Sequence, residues 1–364
     1  MRVLQIGKYY PPVRGGIESH VRDLCEGLVA NGCEVVCVVS SQERRSFSEK
    51  TKGVFVRRVR SRKVGSAPLS FSLPVRVRKE ARGADVVHVH MPNPCAEVSC
   101  LLSNPKNLVV TYHADIVDKR GAFLYRPIQR MVLRLAKRII VSSIEFARGS
   151  KVLEPFLEKC VVVPLGIDVK RFGQVKKDEV RSLRKERARP IFLFVGRFVN
   201  YKGLSYLLHA MKDVQGTLFL VGEGPGEEQL KREAALLGMG ERVYFFNGAG
   251  DAHLPAFYHA ADVFVLPSVT AQEAFGIVQL EAMACARPVI STRLGTGVEV
   301  VNVNGTTGLV VSPKNSRELK EAMVVLGSDA KLRARLGKNG FSRVRQHYTV
   351  EKMVRQVLKV YRSL

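Results

Sequence analysis

Two carboxylates eight residues apart, Glu273 and Glu281, bracket the run Ala274-Phe275-Gly276-Ile277-Val278. An apolar run ending in Leu266-Pro267-Ser268 precedes them, and Ala282 to Ala286 continue a helical pattern that Pro288 closes. Glu273 is therefore expected just ahead of a helix N-terminus, with Glu281 about two turns inside. At about 1.5 Å of rise per residue the carboxylates stand roughly 12 Å apart. That span suits a hexose at one end and a ribose at the other. The backbone N–H groups of Phe275, Gly276, Ile277 and Val278 would then face a diphosphate, aided by the helix dipole. On residue types alone, the pair reads first as two solvent-facing glutamates on an ordinary helix.

Arg197 and Lys202 follow the run Ile191 to Val195, at the strand end where open α/β sheets bind ligands. Two cations there would neutralise a diphosphate and its leaving-group charge; a solvated basic turn is the plain alternative. Gly15-Gly16 sits in the first strand-to-helix loop, where a missing Cβ lets backbone approach a ligand. His113 closes the buried run Leu108 to Thr111 after Tyr112, and His88, His90 and Asn93 stand near the end of another strand, where they could line an acceptor site. The loop Val221-Gly222-Glu223-Gly224-Pro225-Gly226 looks like a dinucleotide fingerprint, but Pro225 and the lack of a matched acid argue against NAD.

These residues need a scaffold of alternating strands and helices. Short β-branched runs (Val3 to Gly7, Val35 to Val39, Val86 to Val89, Leu108 to Thr111, Ile139 to Val141 and Val161 to Val163) alternate with amphipathic stretches. The first such stretch runs from about Glu18 to Asn31. This alternation predicts a mainly parallel sheet covered on both faces. The charged segment 174–190 interrupts it, and Ile191 restarts it. Two α/β domains are expected, 1–168 and 169–348, with a final helix over 349–364 showing Met353, Val354, Val357 and Leu358 on one face.

Taken jointly, several motifs resemble the large GT4 family of retaining glycosyltransferases. They are Gly15-Gly16-Ile17-Glu18, Val195-Gly196-Arg197 with Lys202-Gly203, Val221 to Pro225, Ala261-Asp262-Val263-Phe264, and Pro267 through Val289. The resemblance covers nearly the whole chain. It implies a GT-B fold, two Rossmann-like domains with parallel sheets facing across a cleft. The first would bind the acceptor, the second a nucleotide-sugar donor, and the last helix would pack back on the first.

It further implies that Arg197 and Lys202 hold the donor diphosphate, Glu281 the ribose and Glu273 the sugar hydroxyls. Gly15 and Gly16 would touch the donor phosphate or sugar, His113 would reach the transferred sugar, and the loop at Gly222 would lie near the base. No metal ligand set and no cofactor beyond the GDP- or UDP-linked co-substrate is expected. Two positions depart from the pattern. Ala286 replaces a common glycine, tolerable if the backbone there is ordinary helix, and Gly295-Thr296-Gly297-Val298-Glu299 replaces the usual paired glycines and acid. The wording from Thr111 to Val117 is similar to bacterial mannosyl- and rhamnosyltransferases of surface polysaccharide assembly, which favours GDP-mannose over UDP-sugars.

Composition bounds the partners. The chain has 364 residues, 46% of them apolar, and a formal charge of +25. The apolar share excludes a disordered chain, and the charge favours anionic partners. Arg57, Arg58, Arg60, Arg62 and Lys63 cluster without an acid, and Arg76, Arg78, Lys79 and Arg82 follow. Arg126, Arg130, Arg134 and Arg138 recur every fourth residue, predicting a stripe along one helix face opposite Ile128, Met131, Val132 and Leu135. This basic first half is expected to hold an anionic membrane surface and a polyprenyl-diphosphate-linked acceptor. No nucleic-acid module accompanies the charge. Seven scattered cysteines read as reduced core residues, and no signal segment is expected ahead of Val3. The expected location is cytoplasmic, peripheral to the inner face of the membrane. The rival functions are a sugar-nucleotide 2-epimerase of the same fold and an inactive basic binding protein.

Overall fold

A computed structural model describes residues 1–13, 15–43, 45–64, 67–116, 122–248, 250 and 252–364. Val117 and the side chain of Lys63, both used above, lie outside what is described. The chain divides into two units: Met1–Gly166 with Val350–Leu364, and Ile167–Thr349.

In the first unit the strands are β1 (Arg2–Ile6), β2 (Glu34–Ser41), β3 (Phe47–Thr51), β4 (Val54–Arg60), β5 (Arg62–Val64), β6 (Ala67–Leu69), β7 (Val86–Met91), β8 (Leu108–Tyr112), β9 (Arg138–Val141) and β10 (Cys160–Val162). Eight of them form one sheet in the order β10-β9-β8-β7-β1-β2-β4-β3, and β5 pairs with β6. Pairing in the large sheet is parallel except where β3 runs antiparallel to β4 at the edge. Strands β7 and β8 are buried at every position, as a parallel sheet covered on both faces requires.

The edge was not legible as strand. Val54 and Val56 of β4 join the core from one face while Phe55 and Arg57 on the other are half-buried, an alternation hidden behind the run of arginines. The expectation of a free basic cluster there is corrected. Arg58 is buried, donating through Nε to Glu49 at 2.7 Å and through Nη1 to the Tyr10 carbonyl at 3.2 Å. Glu80 lies 3.5 Å from Arg57, 3.6 Å from Arg76 and 3.2 Å from Arg2. The acids come from neighbouring elements, not from the run itself. The arginine stripe is also shorter than expected: its helix is Ala122–Leu135, so Arg138 opens β9 instead. Met131 is exposed, and Leu133 is buried beside Val132.

The second unit carries β11 (Ile191–Val195), β12 (Thr217–Val221), β13 (Val243–Phe246), β14 (Val263–Leu266), β15 (Val289–Thr292) and β16 (Gly308–Val311). They form one parallel sheet in the order β13-β12-β11-β14-β15-β16. At the start of the central pair, Asp262 accepts from the Ile191 amide and from Arg189 Nε, each at 2.7 Å. Asp262 thus ties strands together rather than meeting a ligand.

The last helix, Val350–Arg362, belongs to the first unit's core. Met353, Val354, Val357, Leu358 and Tyr361 recur at helical spacing and are buried among Val21, Leu24, Cys25 and Leu28. Each such side chain contributes about 1.5–3 kcal/mol by leaving water. The fit is close: a Cβ on Gly27 would meet Val354 Cγ2 at 2.4 Å.

Candidate functional site

In each sheet the chain reverses its direction of strand addition once, between β7 and β1 and between β11 and β14. Beyond the carboxyl ends of such a pair the following loops diverge and leave a crevice. In the second unit the loops leaving β11 and β14 carry Arg197 with Lys202, and Ser268 with Glu273. They are held together by backbone: the Val269 amide donates to the Tyr201 carbonyl at 2.8 Å. Gly203, at φ 69°, lets the first loop pass against the second, because a Cβ there would sit 2.1 Å from the Pro267 carbonyl oxygen.

Lys202 and Glu273, 71 residues apart, form a buried ion pair. Ser268 Oγ donates to the same carboxylate oxygen at 2.9 Å. Burial works against the Lys202 ammonium, but Glu273 more than offsets it, and the pKa is raised. Lys202 is therefore held in its charged form. The backbone around it is fixed by the loop of unusual wording. Thr296 Oγ1 donates to the Glu273 carbonyl at 2.9 Å, and the Gly297 amide donates to the Ala274 carbonyl at 2.8 Å. The departure at 295–299 is thus a cradle for residues 273–275.

Gly276 starts the helix Ile277–Ala284 from a left-handed conformation, φ 68°. The amides of Ile277 and Val278 fall in its first turn, ahead of any intrahelical acceptor. Phe275 is buried below them. Glu281 lies one turn inside, not two, because the helix starts later than its composition suggests. Its carboxylate accepts from Tyr258 Oη at 2.6 Å. Arg197 is exposed. Gly222, at φ 146°, is demanded by protein packing: a Cβ there would lie 2.0 Å from the Gly196 carbonyl oxygen. Ala286 needs a correction. It follows the helix at φ 54°, in a left-handed turn closed by its own amide to Met283 (2.9 Å) and by Arg287 to Ala282 (2.9 Å). The ordinary helical backbone that would make alanine harmless is absent.

In the first unit, Gly15 and Gly16 are exposed at the start of the helix Gly16–Ala30. A Cβ on Gly15 would fall 2.1 Å from Glu18 Oε2, so the glycine makes room for that carboxylate. His113 follows β8, its amide bonded to the Met91 carbonyl at 3.0 Å. Its ring joins a buried chain of polar groups. Gln5 Nε2 donates to Tyr361 Oη at 2.8 Å, so the tyrosine donates onward to His88 Nδ1, 2.5 Å away. His88 Nε2 then donates to Thr111 Oγ1 at 2.6 Å. Gln5 Oε1 accepts from His90 Nε2 at 3.0 Å. His90 Nδ1 is left as the acceptor for His113 Nε2–H, also at 3.0 Å. The carboxamide of Gln5 thereby sets every tautomer in the chain, and His113 keeps a bare Nδ1.

Burial holds these imidazoles neutral: the pKa of His88 falls to about 3 and that of His20 to about 4. Burial also lowers His90 and His113, with neighbouring histidines adding to it. The expectation that His88 lines a ligand site is corrected, since both its nitrogens are spent in the core. Asn93 is buried at the start of the helix Pro94–Ser103, where its amide donates to Glu97 Oε1 at 2.7 Å.

Residues 14–171 match the family described as Glycosyltransferase Family 4, and residues 175–343 match Glycosyl transferases group 1. The chain is 31% identical to O-antigen chain mannosyltransferase C of Escherichia coli, over 100% of this chain and 99% of that one. The chain belongs to glycosyltransferase family 4. It is also 33% identical to D-rhamnosyltransferase WbpZ of Pseudomonas aeruginosa, over 96% of this chain and 92% of the relative. Among solved structures, sucrose-phosphate synthase from Thermosynechococcus elongatus superposes with a TM-score of 0.82 at 24% identity, covering 100% and 98% of the two chains. The fold is GT-B.

Within this family 4 enzyme, the second unit brings Arg197, Lys202, Glu273 and the helix start at Ile277 to one sheet edge. Gly15, Gly16 and His113 stand at the corresponding edge of the first unit's sheet, after β1 and β8. Sequence reasoning missed Ser268, Thr296, Gln5, His20 and Tyr361. Ser268 had a signal, its place directly after β14. Gln5, the polar residue inside the apolar run Val3 to Ile6, was a second. The glycosyltransferase motifs give no sign of Tyr361, which arrives from the far end of the chain.

Proposed function

We propose that this glycosyltransferase moves a hexose from a nucleoside-diphosphate sugar to a hydroxyl of a lipid-linked glycan, with retention at the anomeric carbon. The observation that carries the reading is the buried Lys202–Glu273 pair at the second sheet's switch point, with exposed Arg197 and a helix N-terminus beside it. Arg197, Lys202 and the amides of Ile277 and Val278 hold the diphosphate and take up its leaving-group charge. Glu273 binds sugar hydroxyls and Glu281 the ribose. His113 offers its Nδ1 lone pair to the transferred sugar. The cationic groups supply the charge stabilisation, so transfer needs no added metal.

GDP-mannose is the leading donor, supported by the names of the mannosyl- and rhamnosyltransferase relatives. The same names support a role in O-antigen-like surface polysaccharide assembly. The acceptor is a polyprenyl-diphosphate-linked sugar, met at the inner face of the cytoplasmic membrane. Exposed Arg126, Arg130 and Arg134 support peripheral attachment there, and no helix of the described residues is long and apolar enough to cross a bilayer.

The test is a panel of GDP- and UDP-sugars, with and without the lipid acceptor, in chelator, with the product's anomeric configuration read by NMR. Acceptor-dependent transfer with an α-linked product is expected. A donor converted to its 2-epimer without transfer would replace this reading with an isomerase, and an inert panel would reduce the protein to a binding module. Arg197→Ala is expected to raise the donor KM at least about 10-fold with folding unchanged, since the side chain is exposed.

A further inference from the structure

Three imidazoles meet in the first unit. Ligand atoms of His20, His90 and His113 all lie within 4.8 Å of one another, though the residues come from the helix after β1, from β7 and from the end of β8. His20 is 3% exposed, yet neither of its ring nitrogens has a hydrogen-bond partner. Its ring stands edge-on to the other two, 5.4 Å from His90 and 5.1 Å from His113 between centroids. A buried group with two unmet nitrogens calls for a ligand or a solvent molecule.

The surroundings select the class of ligand. Neutral imidazoles suit borderline transition ions, while magnesium and calcium require oxygen donors. Burial keeps all three rings in the neutral, ligating form. His90 Nε2 donates to Gln5 Oε1, the outer bond that orients a ligating histidine and turns its Nδ1 lone pair inward. Around zinc, with N–metal distances of about 2.0–2.1 Å, tetrahedral nitrogens stand roughly 3.4 Å apart. The His90–His113 pair is already at 3.0 Å, so closure mainly asks His20 to move inward. The ion replaces the His90–His113 hydrogen bond, the His113 proton moving from Nε2 to Nδ1 so that Nε2 can ligate, and leaves its fourth position open.

We infer that His20, His90 and His113 form a binding site for a divalent transition ion of the zinc class, and that occupation withdraws His113 from the sugar and silences transfer. The inhibitory half rests on the role proposed above for His113; the binding half does not.

The test titrates chelator-stripped full-length protein with Co2+, read by its visible absorption, and then displaces it with Zn2+. One equivalent with the intense bands of a tetrahedral site is expected, and Mg2+ should not compete. His20→Asn, with His20→Ala as a second variant and circular dichroism as the folding check, is expected to weaken binding at least about 100-fold, more than loss of an outer-shell partner does. Zn2+ should abolish transfer by the unaltered chain and chelator restore it. His20→Asn should transfer normally in chelator and lose its zinc sensitivity. Absence of saturable Co2+ binding, binding indifferent to the His20 substitution, or full transfer by zinc-loaded protein would each overturn the inference. A His20-dependent cobalt band in a protein that transfers no sugar supports the metal site and refutes the transferase reading instead.

Discussion

Replacing His20 by asparagine is expected to make the first unit less sensitive to acid, by an amount that follows from the burial of the ring. The folded pKa of His20 lies near 4, against about 6.5 in the unfolded chain. A histidine depressed on folding binds its proton first in the unfolded state, so its contribution is intact above pH 6.5 and is lost as pH falls toward 4. Each pH unit inside that window costs about 1.4 kcal/mol for one proton. At pH 5, some 1.5 units below the unfolded value, the loss is roughly 2 kcal/mol.

Other groups move with it. His88, His90 and His113 shift the same way, all through burial first. Glu97 opposes them: burial pushes its carboxyl up to about 7 despite hydrogen bonds from Tyr125 and the Asn93 amide, so acid favours its folded form. The net slope of the native chain is therefore a mixture, and the difference between the native chain and His20→Asn is the clean quantity. Urea unfolding by circular dichroism at pH 7.5 and pH 5, with peptide-level hydrogen exchange to locate the change in residues 1–166, measures it. The variant should lose roughly 2 kcal/mol less than the native chain between the two pH values. Equal losses would refute the account of a buried neutral ring, as would a difference that appears in the second unit.

Ala286→Gly is expected to stabilise the protein by about 1 kcal/mol, because alanine at φ 54° carries the left-handed penalty that glycine escapes; a thermal melt reads it directly. Lys202→Met strands the buried Glu273 carboxylate and should cost about 3–5 kcal/mol. Adding Glu273→Gln should recover most of that stability in urea melts while transfer stays lost. Gly297→Ala would place a Cβ 2.7 Å from Phe275 Cδ2 and 2.8 Å from the Ala274 carbonyl oxygen. It should push residues 273–275 out of register and raise the donor KM in steady-state assays. Tyr361→Phe leaves His88 Nδ1 and the Gln5 amide without their shared hydroxyl, and nitrogen-15 NMR of the imidazoles should show the His113 tautomer no longer fixed.

What the amino-acid order revealed was whatever repeats locally. Ile191 to Val195 is a run of consecutive buried residues and was read as β11 without error. The last helix was legible because Met353, Val354, Val357 and Leu358 recur at its own period. Strand β4, one in from the edge, was not, since its second half carries arginines whose partners, Glu49 and Glu80, sit on other elements. Lys202 and Glu273 were both singled out, but as separate contacts to a donor. That they hold each other depends on β11 and β14 being neighbours, which spacing along the chain does not encode. The histidine trio was invisible for the same reason: 70 residues separate His20 from His90, counted along the chain, while the sheet order makes β1 and β7 adjacent. The conformation of Ala286 was missed because the composition of a helix end does not say where the last turn tightens.

The return of the last helix to the first unit has a consequence for synthesis. Residues 167–349 form one unbroken segment and can close as soon as they leave the ribosome. The half made first cannot, because Met353, Val354, Val357, Leu358 and Tyr361 of its core are translated only after the whole second unit. Birth order and completion order are thus inverted. Until residue 361 has emerged, the nascent first unit carries an apolar seam along Val21, Leu24, Cys25 and Leu28, and a premature stop near codon 350 injures that unit rather than the one just completed.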